Sequence, residues 1–391
     1  MLAQVGRSWL FLPVAALVAA APLWAQPSTE PMFRYTVRPN DTLSGLAKAF
    51  LVGGDYREIQ RLNKVTDPYH IPIGSILLIP DRLLRTEPVI GKVVSFRGSA
   101  TIDGRQAVIG GEVRQGMRVE TGANASIAIA MPDGSTIALP SQSRIHVDRL
   151  RRILLTDGLD RNFRLEAGRS RSSVIPMKDP ASNFRVTTPL SVAAVRGTEF
   201  RVAVDDSGER ALTEVVAGTV GVAGADPTEV AVPKGYGAVS TPAGTEPPTA
   251  LLPPPKLLQL EKTATGVSIV VERMEGAKAY RVELASDVAF LHIIEEVRTE
   301  EPSVSFALPP NATFFVRLTA IATSGLEGLP GIYAPGVRRS SPPAASEASA
   351  DAGDAAPPPF RLWAEPRPLP ISLTGHGTVQ PRAIATHAPL R

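Results

Sequence analysis

Between residues 89 and 240 the chain repeats one pattern, a short run rich in β-branched and apolar residues followed by a glycine break. Lys92–Phe96, Ser99–Ile102, Ser126–Ala130 and Ile137–Leu139 are such runs, and Asp103-Gly104 and Asp133-Gly134 are such breaks. Strands spaced about 8–12 residues apart with turn signals between them predict an all-β sandwich or roll. Val119-Glu120-Thr121-Gly122, Leu165-Glu166-Ala167-Gly168 and Val215-Val216-Ala217-Gly218 echo one another, each ending a run at a glycine. The echo points to stacked β layers but is too loose for a solenoid repeat.

A different pattern precedes it. Tyr35-Thr36-Val37 reads as a strand, and Leu43, Leu46, Ala47, Phe50 and Leu51 follow helical spacing, with Asp41 or Thr42 placed to cap the free amides. Asp55 and Glu58 resemble a capping box for a second helix facing inward through Ile59 and Leu62, and Ile76–Ile79 before Pro80 is a closing strand. The order is strand, helix, helix, strand. Upstream, Arg7 is followed by an apolar run from Leu10 to Trp24, broken by Pro13 and Pro22, and then by Ala25. That run is shorter than the ~20 residues of a spanning helix and predicts a cleavable export signal over residues 1–25, leaving no transmembrane segment in the mature chain.

Downstream, six prolines among residues 241–256 predict a stiff linker over 241–255. Strand patterning returns at 256–333, through Val267–Val271, Ala279–Leu284, Val304–Leu308 and Phe314–Ala320. From 335 to 391 eleven residues are proline, with Ala and Ser filling much of the rest, and the expectation is a disordered tail.

Composition narrows the chemistry. The absence of cysteine removes disulfides, thiolate metal sites and a cysteine nucleophile. With 41 Lys+Arg against 38 Asp+Glu, nothing suggests a nucleic-acid surface. None of the five histidines has a metal-ligand spacing, and no nucleophile elbow or phosphate loop occurs. Asp205-Asp206 and Glu295-Glu296 are adjacent, so on a strand they point to opposite faces rather than form an acid–base pair. Arg149, Arg151 and Arg152 lie near Asp148, Asp157 and Asp160 and read as a solvated surface. No enzyme, cofactor or metal is expected.

The segment Tyr35-Thr-Val-Arg-Pro-Asn-Asp-Thr-Leu-Ser-Gly-Leu-Ala, then Ile59-x-x-x-Asn63, then Ile73-Gly-Ser-Ile-Leu-Leu-Ile-Pro80 resembles a LysM module. The resemblance implies a βααβ fold over residues 33–82 that binds N-acetylglucosamine polymers such as peptidoglycan. It implies a groove between two loops, Asn40, Asp41, Thr42, Leu43 and Ser44 in the first and Asp67, Pro68, Tyr69, His70 and Ile71 in the second. Asn40 stands where the family has glycine, and Asn tolerates positive φ next best. Asn63 reads as a buried amide pinning the loop rather than a ligand.

Thr187-Thr-Pro-Leu-Ser-Val-Ala-Ala-Val-Arg-Gly-Thr-Glu-Phe200, with Val215–Val220 and Val232-Pro-Lys-Gly-Tyr-Gly, resembles a FecR-type periplasmic domain over residues 89–240. The membrane helix and cytoplasmic segment of the signalling members have no counterpart in this sequence, so that role does not carry over. Arg196 and Glu199 are expected to form a buried pair. Tyr280-Arg-Val-Glu-Leu and Phe315–Ile321 resemble the central strands of a fibronectin type III module over 256–333. The expected chain is therefore multidomain: a small α+β LysM module, a mainly-β FecR-like domain, a β-sandwich and a disordered tail. Its expected role is a peptidoglycan-binding, non-enzymatic protein of a Gram-negative periplasm, with envelope proteins as further partners. A periplasmic sensor and a wall hydrolase remain as alternatives.

Overall fold

The computed structural model describes residues 31–335 except 178, 226, 227, 264, 310 and 311. The export signal expected over 1–25 and, beyond Pro335, the tail expected over 335–391 lie outside the described residues. The described chain is mostly β, with its helices confined to the N-terminal region, as the pattern predicts.

That region has the order β1 (Met32–Thr36), α1 (Leu43–Phe50), α2 (Arg57–Leu62) and β2 (Ile76–Pro80), with β1 and β2 antiparallel from Met32↔Pro80 to Thr36↔Ile76. In α1, Leu43, Leu46 and Ala47 are buried, the i, i+3, i+4 face that the spacing predicts. The second helix departs from expectation in two ways. Asp55 Oδ1 does accept from the Arg57 N–H at 2.9 Å, but Glu58 pairs with Arg82 instead of completing a capping box. Of its expected inner face, Ile59 is buried and Leu62 is exposed, because the helix is only six residues long and turns a single residue inward.

Residues 86–250 form two ten-stranded sheets facing each other across an apolar core that includes Val119, Ile145 and Phe163 from the outer sheet and Ile127, Ile129 and Phe200 from the inner. Phe163, Phe184 and Phe200 meet across this core, the first pair tilted and the second edge to face, with centroids 5.3 and 6.2 Å apart. The chain crosses between sheets repeatedly. Gly158–Ala167 lies in the outer sheet and Arg169–Ser173 in the inner; Ala211–Ala217 lies in the inner and Thr219–Ala223 in the outer. Gly168 (φ 74°) and Gly218 (φ 84°) sit at those two switches, which explains their echo in the sequence. A Cβ on Gly168 would lie 2.4 Å from the Gln142 carbonyl oxygen, so only glycine makes that crossing.

Residues 257–333 form a three-stranded and a four-stranded sheet around a third core, in which Ile269, Val282, Leu284, Val316 and Leu318 are central. Alternation along the four-stranded sheet sends Val282, Leu284, Val316 and Leu318 into this core and Arg281, Glu283 and Arg317 to the other face. That other face lies against the inner sheet, so the layers run outer, inner, four-stranded, three-stranded. The proline-rich segment expected to be a stiff spacer is instead folded onto its neighbours. Gly244–Thr245 and Thr249–Ala250 pair with Tyr236–Thr241, Leu251 joins Leu212, Val239 and Leu326 in a small core, and Leu252 O accepts from the Leu329 N–H.

Candidate functional site

The two loops implied by the LysM resemblance meet. The Leu43 N–H donates to the Pro68 carbonyl at 2.9 Å, tying the start of α1 to the loop that follows α2. Asn40 adopts φ 70°, so the turn before α1 has the left-handed residue that glycine would otherwise supply. Thr42 is the N-cap of α1, its Oγ1 accepting from the Gly45 N–H at 3.0 Å. Asp41 is held by two donors: the Tyr35 hydroxyl at 2.7 Å and the Arg38 N–H at 2.7 Å, both to Oδ2. Burial, followed by the hydrogen bond to Asp41, pushes the Tyr35 phenol up to about 12.

In the second loop, Asp67 Oδ1 accepts from the Tyr69 N–H at 2.9 Å, and its Oδ2 lies 2.7 Å from His70 Nδ1. These contacts, the backbone one first, lower the Asp67 carboxyl below its usual range. The ten expected residues thus divide by surface. Leu43 and Ile71 are core side chains, Thr42, Asp41, Ser44 and Pro68 are half-buried, and Asn40, Asp67, Tyr69 and His70 are exposed. Tyr69 keeps 60% of its surface open, so its ring is not tucked against the second helix. Asn63 has the structural role read from the sequence: its Nδ2 donates to Ile59 O and Leu78 O, both at 2.8 Å, and its Oδ1 accepts from the Leu78 N–H at 2.7 Å.

A hollow of about 410 Å³, in the size range of small-ligand sites, opens on the far side of the second loop. Asp67, His70 and Ile71 line it together with Val65, Pro72 and Ile76, whereas no residue of the first loop does. Ile73, just before β2, and Ile76, its first residue, are 68% and 48% exposed, and neither stands out in the sequence because an isoleucine at the start of a strand looks like core.

Two further expectations need correction. Arg149 and Arg151 are not a solvated cluster but bridge the helical unit to the outer sheet. Arg151 Nη2 donates to both Asp81 oxygens at 2.6 and 2.7 Å, its Nε donates to Asp160 at 2.9 Å, and Arg149 also lies within ion-pair reach of Asp81 and Asp160. Beneath these pairs Ile153 and Leu155 enter the core of the helical unit, and Thr86–Pro88 pairs with Arg151–Ile153. The expected Arg196–Glu199 pair does not form. Arg196 is exposed and donates to the Asp179 carbonyl, while Glu199 pairs with Arg171 on the neighbouring strand. Residues 197 and 198 turn the chain between the two, and positive φ at Gly197 carries Arg196 away from the sheet.

Residues 35–80 match the family model for the LysM domain, and residues 117–221 match that for FecR protein. No curated protein matches at a significant level. Among solved structures, a chain from Parabacteroides distasonis ATCC 8503 described as a "putative anti-sigma factor" is similar at 18% identity and TM-score 0.28, over 34% of this chain and 60% of that one. A second structure under the same description gives 17% identity and TM-score 0.28, with the same coverage. The extracellular domain of a "putative hybrid two component system" from B. thetaiotaomicron is similar at 7% identity and TM-score 0.16, over 53% of this chain and 41% of that one. Each aligned region thus spans less than two thirds of the matched structure. No helix among the described residues is long and apolar enough to cross a membrane.

Proposed function

We propose that this chain is an exported, non-catalytic envelope protein of the periplasm that holds peptidoglycan, or another N-acetylglucosamine polymer, in the groove between residues 40–44 and 67–71. The observation that carries the reading is the Leu43–Pro68 backbone bond, which fixes the two loops beside each other with the Tyr69 ring open to solvent. Backbone amides and carbonyls of the two loops suit acetamido groups, and the Tyr69 ring suits a sugar face. The match to LysM over 35–80 supports the ligand class. The test is cosedimentation of the full chain with purified peptidoglycan, with a control LysM protein alongside. Pelleting that changes little between low and physiological salt is the expected result. Recovery in the supernatant, or a steep loss with salt, removes the reading.

A second reading is supported by the FecR match over 117–221: the β domains serve a regulatory or sensory partner in the envelope while the LysM unit positions them. Copurification of a membrane signalling protein from crosslinked envelopes favours it. On this reading the module at 256–333 is a fibronectin type III-like sandwich, for which its two small sheets speak. Release of muropeptides by the purified chain would instead make it a hydrolase.

A further inference from the structure

A crevice separates the inner sheet from the four-stranded sheet, with a cavity of about 50 Å³, room for about four water-sized groups. Five guanidinium groups line it: Arg169, Arg171 and Arg201 from the inner sheet, and Arg281 and Arg317 from the opposing one. Three carboxylates line it with them, Glu283, Glu296 and Glu327. Glu199 and Glu214 pair with Arg171, Arg169 and Arg201 from beside the lining, so positive and negative groups balance and what the crevice offers an anion is unused donors. Three polar groups of the lining lack a hydrogen-bond partner, Ser170 Oγ, Arg201 Nε and Arg317 Nη1. The Arg317 side chain is only 6% exposed, its Nε and Nη2 are spent on the two oxygens of Glu283, and its Nη1 has no partner. A buried donor without an acceptor is costly, and an anion at that position relieves the cost. The same guanidinium lies over the Phe290 ring, 4.3 Å from its centroid, and Leu291 and Ile293 extend the apolar wall.

We propose that this crevice binds a small carboxylate, its oxygens taken by Arg317 Nη1 and the neighbouring arginines and its short apolar tail laid against Phe290 and Ile293. Size restricts the ligand to a few non-hydrogen atoms beyond the carboxylate, and the apolar wall disfavours a fully hydrated oxyanion such as phosphate. Because both sheets contribute arginines, an occupant crosslinks two modules and stabilises their docking. The site lies apart from the glycan loops and does not depend on glycan binding.

The test uses the purified full chain, titrated with acetate, propionate and inorganic phosphate, each against chloride at matched ionic strength. The readouts are the melting temperature and ligand-observed saturation-transfer NMR. Expected is a saturable rise of roughly 2–4 °C with propionate, smaller with acetate, together with saturation transfer to the alkyl protons. Arg317→Gln is expected to abolish both. If that variant fails to fold, Arg171→Gln, at a half-buried position, decides by weakening propionate at least roughly tenfold, the loss of one charge-assisted hydrogen bond. A carboxylate response equal to that of chloride, a phosphate response exceeding that of propionate, or unchanged propionate affinity in Arg171→Gln overturns the proposal.

Discussion

Arg201 of the inner sheet grips Glu327 by side chain and main chain at once. Its Nη1 donates to Glu327 Oε1 at 3.2 Å, and its Nη2 donates to the carbonyls of Glu327 and Gly328 at 2.6 and 2.8 Å. Glu327 also accepts from Arg169, Arg281 and the Thr319 hydroxyl, and its own N–H donates to Glu214 Oε1. One carboxylate thus joins two modules that are far apart in sequence. Burial alone would raise the Glu327 carboxyl, but Arg169, Arg281 and Arg201 hold it well below its usual range.

Removing that hub leaves three guanidiniums facing one another without their shared counterion. Glu327→Ala is therefore expected to cost about 3–5 kcal/mol, the usual consequence of breaking a buried ion pair from one side. A urea melt of the full chain measures it, with proteolysis of the segment 241–255 as a second readout of undocking. A loss below about 1 kcal/mol would mean that water replaces the carboxylate and that the joint is held by Leu251 and Leu326 instead.

This network is also where sequence reading stops. The LysM unit was legible because its signals are local: a cap residue at Thr42, a left-handed position at Asn40 and a helical stripe that needs only its own turn to be recognised. Arg169 and Arg171 alternate with Ser170 and Ser172 and look like the solvated face of a strand. Arg169 is covered because a later module, more than 100 residues along the chain, presents Glu327 to it, while Arg171 pairs with Glu199 of the neighbouring strand. Arg151 misleads in the same way, since its partner Asp81 belongs to a different module. Arg196 and Glu199 show the converse error, where closeness in sequence suggested a pair that the turn at Gly197 separates. Of the ten candidate glycan residues, position in the loops was legible, but the division into core, cap and exposed ring was not.

The helical unit borrows part of its core. Ile153 is 1% exposed and packs with Leu51, Ile59, Leu77 and Ile79, although it belongs to the outer sheet. Ile153→Ala is expected to destabilise the chain by about 2–4 kcal/mol through transfer loss and the cavity left behind. It should also lower peptidoglycan pelleting, because the loosened unit carries the two loops. A melt and a pelleting assay on the same sample check both. A fragment ending at residue 82 lacks Leu84, Ile153 and Leu155 and is expected to melt well below the intact unit.

Tyr35 gives an alkaline signature. Its phenol is nearly buried, donates to Asp41 and is pushed up to about 12 from 10.0. The folded state therefore keeps a proton that the unfolded chain releases at lower pH. Stability from this group is complete below pH 10 and declines as pH rises from 10 to 12. Spectrophotometric titration of phenolate should show a late step near pH 12, and Tyr35→Phe should remove it. A wild-type curve without it would place Tyr35 in contact with solvent.

Tyr69 and Thr42 separate recognition from folding within one site. Tyr69 is 60% exposed, its backbone is set by Asp67, and no side-chain hydrogen bond holds its ring among the described residues. An open ring contributes little to the folded state, so Tyr69→Ala should leave the melting temperature unchanged. Losing a sugar-facing aromatic costs on the order of 1–2 kcal/mol of binding, which is roughly tenfold in affinity for a chitin oligomer. Thr42→Ala should do the reverse, costing about 1 kcal/mol of stability because the Gly45 N–H loses its acceptor, with binding reduced only as the loop loosens. Calorimetric titration and a thermal melt of both variants decide the matter. If Tyr69→Ala binds as well as the parent chain, the ring is outside the groove, and the hollow lined by Asp67, His70 and Ile76 becomes the place to look for the glycan.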